Sequence, residues 1–179
     1  MTTLYLVRHG KTDWNNQRLI QGLVDIELNE EGIQAAEELS KIINLDNIDI
    51  CMSSPLKRAK KTAEIIVKNK KEIIYDNLLV ERSFGDYEGI KITEELAKKQ
   101  WDYNNEDQTH NLESVKDLLN RCNKFLNKIK TNYQDKNILV VSHGCFIKAL
   151  HFSIVGYDEN TDFLSFFAEN TTIYKYELK

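Results

Sequence analysis

Proline is almost missing from this chain, with one in 179 residues, and cysteine is nearly as scarce, with three. The single proline and the lack of any Pro/Gly/Ser-rich stretch leave nothing to serve as a linker, so one domain over residues 1–179 is expected. Cys51, Cys122 and Cys145 are odd in number and lack C-x-x-C spacing, which argues against a disulfide framework or a zinc knuckle and fits a reducing, cytoplasmic setting. Long apolar runs are absent too. No segment approaches membrane-spanning length, and the amino terminus enters a strand pattern with no basic region and apolar stretch before it. Excess positive charge is also missing: a net charge of -4 provides no general polyanion-binding surface, so neither nucleic acid nor a membrane is expected as a partner. Nothing in the composition fixes an oligomeric state, and a homodimer remains open.

What is present is an alternation of short apolar runs and 3.6-residue periodicity, without internal repeats. Buried-type strands are expected at residues 4–7, about 49–52, 73–75 and 137–141, with two more near 163–167 and 171–176. Helices are expected from Asn29 to Ile43, from Leu56 to Lys70 with Ser54 as its cap and Pro55 in the first position, from Ser114 to about Lys130, and from about Cys145 to Val155. The polar segment around 90–112 reads as a small cap outside this frame. The fold class is therefore α/β, a three-layer α/β/α sandwich with a mostly parallel mixed sheet.

Two of the strands end alike. Leu4 to Val7 runs into Arg8-His9-Gly10, and Ile138 to Val141 runs into Ser142-His143-Gly144. Ligands of open α/β sheets bind at the carboxyl ends of the strands, so both histidines are placed to converge. Arg58 falls in the first turn of the helix behind another strand end, where free N–H groups already favour an anion and a planar guanidinium adds a bidentate grip. A glycine at Gly144 permits close backbone approach. Glu81, in a glycine-punctuated segment beside Arg82, is the candidate proton donor. A metal centre fits poorly because Arg8 beside His9 opposes a cation, a thiol phosphatase lacks its Cys-x5-Arg, and no P-loop or dinucleotide signature follows the first strand. His110 and His151 read as surface or core residues.

Taken in order, Leu6 to Asn15, Gln21-Gly22, Ser53 to Ala59, Glu81 to Gly89, Val141 to Gly144 and Asn170-Thr171 resemble, nearly end to end, the histidine phosphatase superfamily in its phosphoglycerate-mutase-like branch. The resemblance implies His9 as the nucleophile, Glu81 as acid/base, and Arg8, Asn15, Arg58, a charged His143 and Gly144 around the phosphoryl group. It further implies Gln21, Gly22 and Arg82 at the substrate, no cofactor and no metal. The expected activity is hydrolysis of a small phosphorylated metabolite through phosphohistidine. A bisphosphoglycerate-dependent mutase, a specialised phosphatase such as one for α-ribazole phosphate, and a non-catalytic phospho-ligand module are the alternatives. Residues 90–117 contain no arginine and seven acids, which tilts the expectation toward a hydrolase with a neutral or weakly charged leaving group.

Overall fold

The first apolar run forms β1 (Thr2–Arg8), and its period-two pleat sends Leu4 and Leu6 to one face of the sheet and Val7 to the other. A computed structural model describes every residue except Glu106, Gln108 and Lys179. The remaining strands are β2 (Ile50–Ser53), β3 (Ile73–Tyr75), β4 (Asn137–Ser142) and β5 (Ile173–Leu178), in the order β3-β2-β4-β1-β5. All pairings are parallel except that of β1 with β5. The helices are α1 (Asp13–Asn16), α2 (Glu30–Ile42), α3 (Lys57–Val67), α4 (Glu94–Gln100), α5 (Val115–Asn132) and α6 (Gly144–Val155). Helices α2 and α3 bury Leu39, Ala59, Ala63 and Ile66 against one face of the sheet, with Val7, Leu139 and Val141. On the other face Leu118, Cys122, Phe125, Phe146, Ile147 and Leu150 of α5 and α6 cover Leu4, Leu6, Ile138 and Val140. The result is the expected three-layer sandwich with a mixed, mostly parallel sheet.

Local signals explain most helix starts. Asn29 accepts a hydrogen bond from Gly32 N–H at the start of α2, and Ser114 does the same for Asp117 N–H at the start of α5. Helix α3 departs from expectation. Leu56, not Ser54, is its N-cap residue, Pro55 lies before the helix, and the helix stops at Val67 with Lys68 left-handed (φ 48°). The orphan amide of Lys57 is satisfied instead by the Asp25 carboxylate, 2.7 Å away, from a distant loop. The strand expected at 163–167 is a single 3-10 turn, Phe163–Ser165, capped by Asp162. Phe163 is buried among Trp101, Tyr103 and Phe152, whereas Leu164 and Phe167 are exposed, so one aromatic anchor holds this segment and there is no alternating face to pair. The cap region contains α4. Asp107 ties it down, accepting hydrogen bonds from Tyr87 Oη and Thr109 Oγ1 and facing His110 Nδ1 at 2.9 Å. Residues 106 and 108 of the expected cap lie outside the described residues.

Candidate active site

The parallel register sets Arg8 opposite Ser142, so His9 and His143 leave adjacent strand ends side by side. Their ring centroids are 5.2 Å apart. His9 is buried, and its backbone is clamped from both sides: its N–H donates to Ser142 O at 3.0 Å, and its carbonyl accepts from Asn170 Nδ2 at 2.7 Å. Its Nδ1 lies 2.6 Å from the Gly10 carbonyl. A carbonyl only accepts, so Nδ1 carries the proton and the Nε2 lone pair is left free.

Arg58 emerges from the first turn of α3, fully buried, and donates from Nη2 to Gly22 O (2.7 Å) and from Nη1 to Val24 O (2.8 Å). Its carbonyl accepts from Thr62 Oγ1, which in turn accepts from Gly10 N–H, tying α3 to the end of β1. Arg8 donates to Ala168 O at 2.8 Å, and its guanidinium lies against Gly144, where an added Cβ would stand 3.1 Å from the guanidinium carbon. His143 contacts Ser54 Oγ through Nε2 at 2.8 Å. Among the described residues, four buried polar atoms here have no partner: Arg8 Nε, Arg58 Nε, His143 Nδ1 and Gln21 Oε1. Leaving such groups unpaired costs roughly 1–3 kcal/mol each, which packing alone does not justify and an anion would offset.

Burial holds both imidazoles well below the ordinary histidine pKa, and the Arg58 and Arg8 guanidiniums add to the effect. His9 is thereby kept neutral. The same forces depress the pKa of His143, and a phosphate dianion among these cations would favour the charged form expected of it.

The carboxylate of Glu81 lies at the amino terminus of α6, the helix that begins just after His143. It accepts from the amides of Arg82 (2.9 Å), Cys145 (3.1 Å) and Phe146 (3.1 Å), and lies within electrostatic range of Arg8 and Arg58. Arg121 braces the segment below it, donating to the carbonyls of Leu78, Val80 and Glu81. Asn15 caps α1 reciprocally with Thr12 through its Oδ1, leaving its amide N–H groups for other partners. Gly22 is left-handed (φ 50°), and a Cβ there would strike the Glu88 carboxylate, which accepts from the amides of Leu23 and Phe84. Arg82 is buried against Phe84 and Trp101, its Nε bonded to Glu113 O and, among the described residues, its Nη1 without a partner.

Sequence reasoning singled out the groups around the centre and missed their supports. Ser54 was expected as a helix cap, which it is not, and its contact with His143 Nε2 gave no signal. Asn170 stood in a recognised pair with no stated task, and Glu88 stood unremarked inside the 81–89 motif. Asp25, a lone loop acid, gave no signal.

A family model described as the histidine phosphatase superfamily, branch 1, matches residues 4–179. An uncharacterised phosphatase, PhoE of Bacillus subtilis, is 40% identical over 159 residues, covering 88% of this chain and 80% of its own. A 2,3-bisphosphoglycerate-dependent phosphoglycerate mutase of Cytophaga hutchinsonii is 31% identical over 84% of this chain and 76% of its own. Among solved structures, a phosphoserine phosphatase of Entamoeba histolytica in complex with 3-phosphoglyceric acid is similar at a TM-score of 0.86 and 36% identity, covering 98% of this chain and 90% of that one. With its strand-end histidines, its arginines and its whole length accounted for in this way, the chain belongs to branch 1 of the histidine phosphatase superfamily.

Proposed function

We propose that this protein is a metal- and cofactor-independent phosphatase that hydrolyses a small phosphorylated metabolite in two steps through phosphohistidine. In the first, the free lone pair of His9 Nε2 attacks phosphorus and the ester P–O bond breaks. Glu81, protonated for this step, gives its proton to the departing alkoxide. In the second, Glu81 takes a proton from water as the water oxygen attacks phosphorus, and the P–N bond breaks to free phosphate and His9. Arg8, Arg58, Asn15, His143 and the Gly144 backbone surround the phosphoryl oxygens, while Gln21, Gly22 and Arg82 meet the rest of the substrate. Positioning and compensation of oxygen charge carry most of such a transfer, and the two buried guanidiniums of Arg8 and Arg58 suit it.

The single observation behind this reading is the His9 imidazole itself, which is buried beside two arginines that with burial depress its pKa, and is fixed by Gly10 O on Nδ1 so that the lone pair sits on Nε2. Hydrolysis of p-nitrophenyl phosphate by the wild type, lost in His9→Ala, is the expected result; equal rates for the two proteins would reject it. The likeness to a mutase favours a second reading, which predicts bisphosphoglycerate-dependent conversion of 3- to 2-phosphoglycerate, and absence of that turnover rejects the mutase. A cytoplasmic setting fits the three free thiols Cys51, Cys122 and Cys145.

A further inference from the structure

Glu81 stands in a stretch without regular structure. Residues 80–84 belong to no helix or strand, so no ladder of their own fixes the direction in which the acid points. Their carbonyls, and those just before them, are taken up from outside. Arg121, on α5, donates from Nη1 to Leu78 O (2.9 Å) and Val80 O (2.6 Å) and from Nη2 to Glu81 O (3.2 Å), and Ser142 Oγ donates to Leu79 O at 2.7 Å. Four carbonyls in a row thus end on side chains of α5 and β4. The remaining Arg121 donors, on Nε and Nη2, grip Glu113 Oε1 at 2.9 Å and Oε2 at 2.8 Å. Every N–H of the guanidinium is spent, in a planar fork that a lysine, with three donors on one nitrogen, cannot reproduce.

Glu113 works on the other side of Glu81. Its Oε2 also accepts from Ser83 N–H (3.1 Å), its own N–H donates to Ser83 O (2.9 Å), and its carbonyl accepts from Arg82 Nε (2.8 Å). The Arg121 guanidinium further lies 5.3 Å from the centre of the Phe146 ring, and the Phe146 amide is one of three that donate to Glu81 Oε1. Among the described residues Glu81 Oε2 meets only the Cys145 amide, at 3.2 Å, so it is the oxygen with room for the transferable proton. We propose that Arg121, braced by Glu113, is the positioning residue of the acid/base, holding the Glu81 backbone so that Oε2 delivers its proton to the departing oxygen. The inference rests on the phosphatase reading above and deepens it. A purely structural ion pair, its side chains 15% and 17% exposed, is the alternative, and the two roles differ in how they depend on the leaving group.

The test compares p-nitrophenyl phosphate, whose phenolate departs without a proton, with benzyl phosphate, whose alkoxide needs one. Phosphohistidine forms before it hydrolyses, so kcat/KM reads the ester-breaking step alone. Arg121→Lys keeps the charge opposite Glu113 but cannot span three carbonyls and the carboxylate together. It should lower kcat/KM on benzyl phosphate by about tenfold or more, part of what a general acid contributes, and on p-nitrophenyl phosphate by about threefold at most. Glu113→Gln, of the same shape but without the second carboxylate oxygen, should move the ratio the same way, and it decides the matter if the lysine variant does not fold. Lys128→Met, further along α5, cuts the 2.7 Å ion pair to Asp76 at the far end of the segment and should destabilise the protein without moving the ratio. Hydrogen exchange at the Cys145 and Phe146 amides, which donate to the Glu81 carboxyl, reads its seating without turnover and should quicken in Arg121→Lys while the β4 amides stay protected. A wild type that turns over neither probe would reject the phosphatase reading, and the exchange rates would still decide this one. Equal losses on both probes, or wild-type exchange at Cys145 and Phe146, would overturn the proposal.

Discussion

At the scale of single residues, the site depends on groups that fix histidines rather than on the histidines alone. Ser54 Oγ meets His143 Nε2 at 2.8 Å, and among the described residues His143 Nδ1 has no partner. Removing that hydroxyl should lower kcat by about tenfold while costing only roughly 1 kcal/mol of stability, since one buried hydrogen bond is lost. Steady-state kinetics and urea melts of Ser54→Ala check both numbers. Gly22 makes a different demand. Its left-handed backbone and the Glu88 carboxylate crowding its missing Cβ mean that Gly22→Ala must shift the loop whose carbonyl anchors Arg58. The expected outcome is a loss of 1–3 kcal/mol, about the range for a strained backbone site, together with weaker inhibition by inorganic phosphate. Unchanged phosphate affinity would show that the Gly22 carbonyl does not set the position of Arg58.

At the scale of elements, the frame was legible because burial and periodicity agree. The strands β1, β2 and β4 are apolar runs buried on both faces, and α5 carries seven buried side chains at helical spacing. What was not legible are the pairings between distant segments. Nothing in the run from Phe163 to Phe167 says that one phenylalanine will plug an aromatic cluster and leave its neighbours in water. Nothing near Leu56 says that Asp25 will cap α3. The site divides along the same line: residues next to strand ends were readable, whereas Ser54, Glu88 and Asn170 acquire their roles only when loops from other parts of the chain meet. The cap depends on such a meeting. Asp107 is held far below the ordinary carboxylate range by Thr109, His110 and Tyr87. Asp107→Ala should therefore release α4, speeding amide exchange of Ala97 and Trp101, whose N–H groups lie within this element, while the β4 amides stay protected. Protection of α4 equal to the wild type would show that other contacts hold the cap.

At the scale of the whole molecule, an active centre of neutral buried histidines beside arginines makes folding depend on pH. His9 and His143 have folded pKa values depressed below 6.5, so the unfolded chain binds protons that the folded one refuses. Stability is then complete above about pH 7 and falls as pH drops through the unfolded value, by up to about 1.4 kcal/mol per pH unit for each histidine. The depressed carboxyl of Asp107 adds its loss only at pH values below the ordinary carboxylate range, outside this window. Urea midpoints between pH 8 and pH 5 should decline in the wild type, and the slope should be shallower in His143→Asn, with His9 and the likewise depressed His151 carrying the rest. An equal slope in both proteins would mean that His143 titrates normally. The same cluster of His9 and buried arginines supports the central claim, which is that His9 becomes covalently phosphorylated. Rapid quenching in alkali after mixing with radiolabelled phosphomonoester, followed by peptide mapping, measures this directly. The account predicts acid-labile, base-stable label on the peptide containing His9 and none in His9→Ala; an acid-stable label, or turnover without any labelled His9, would contradict it.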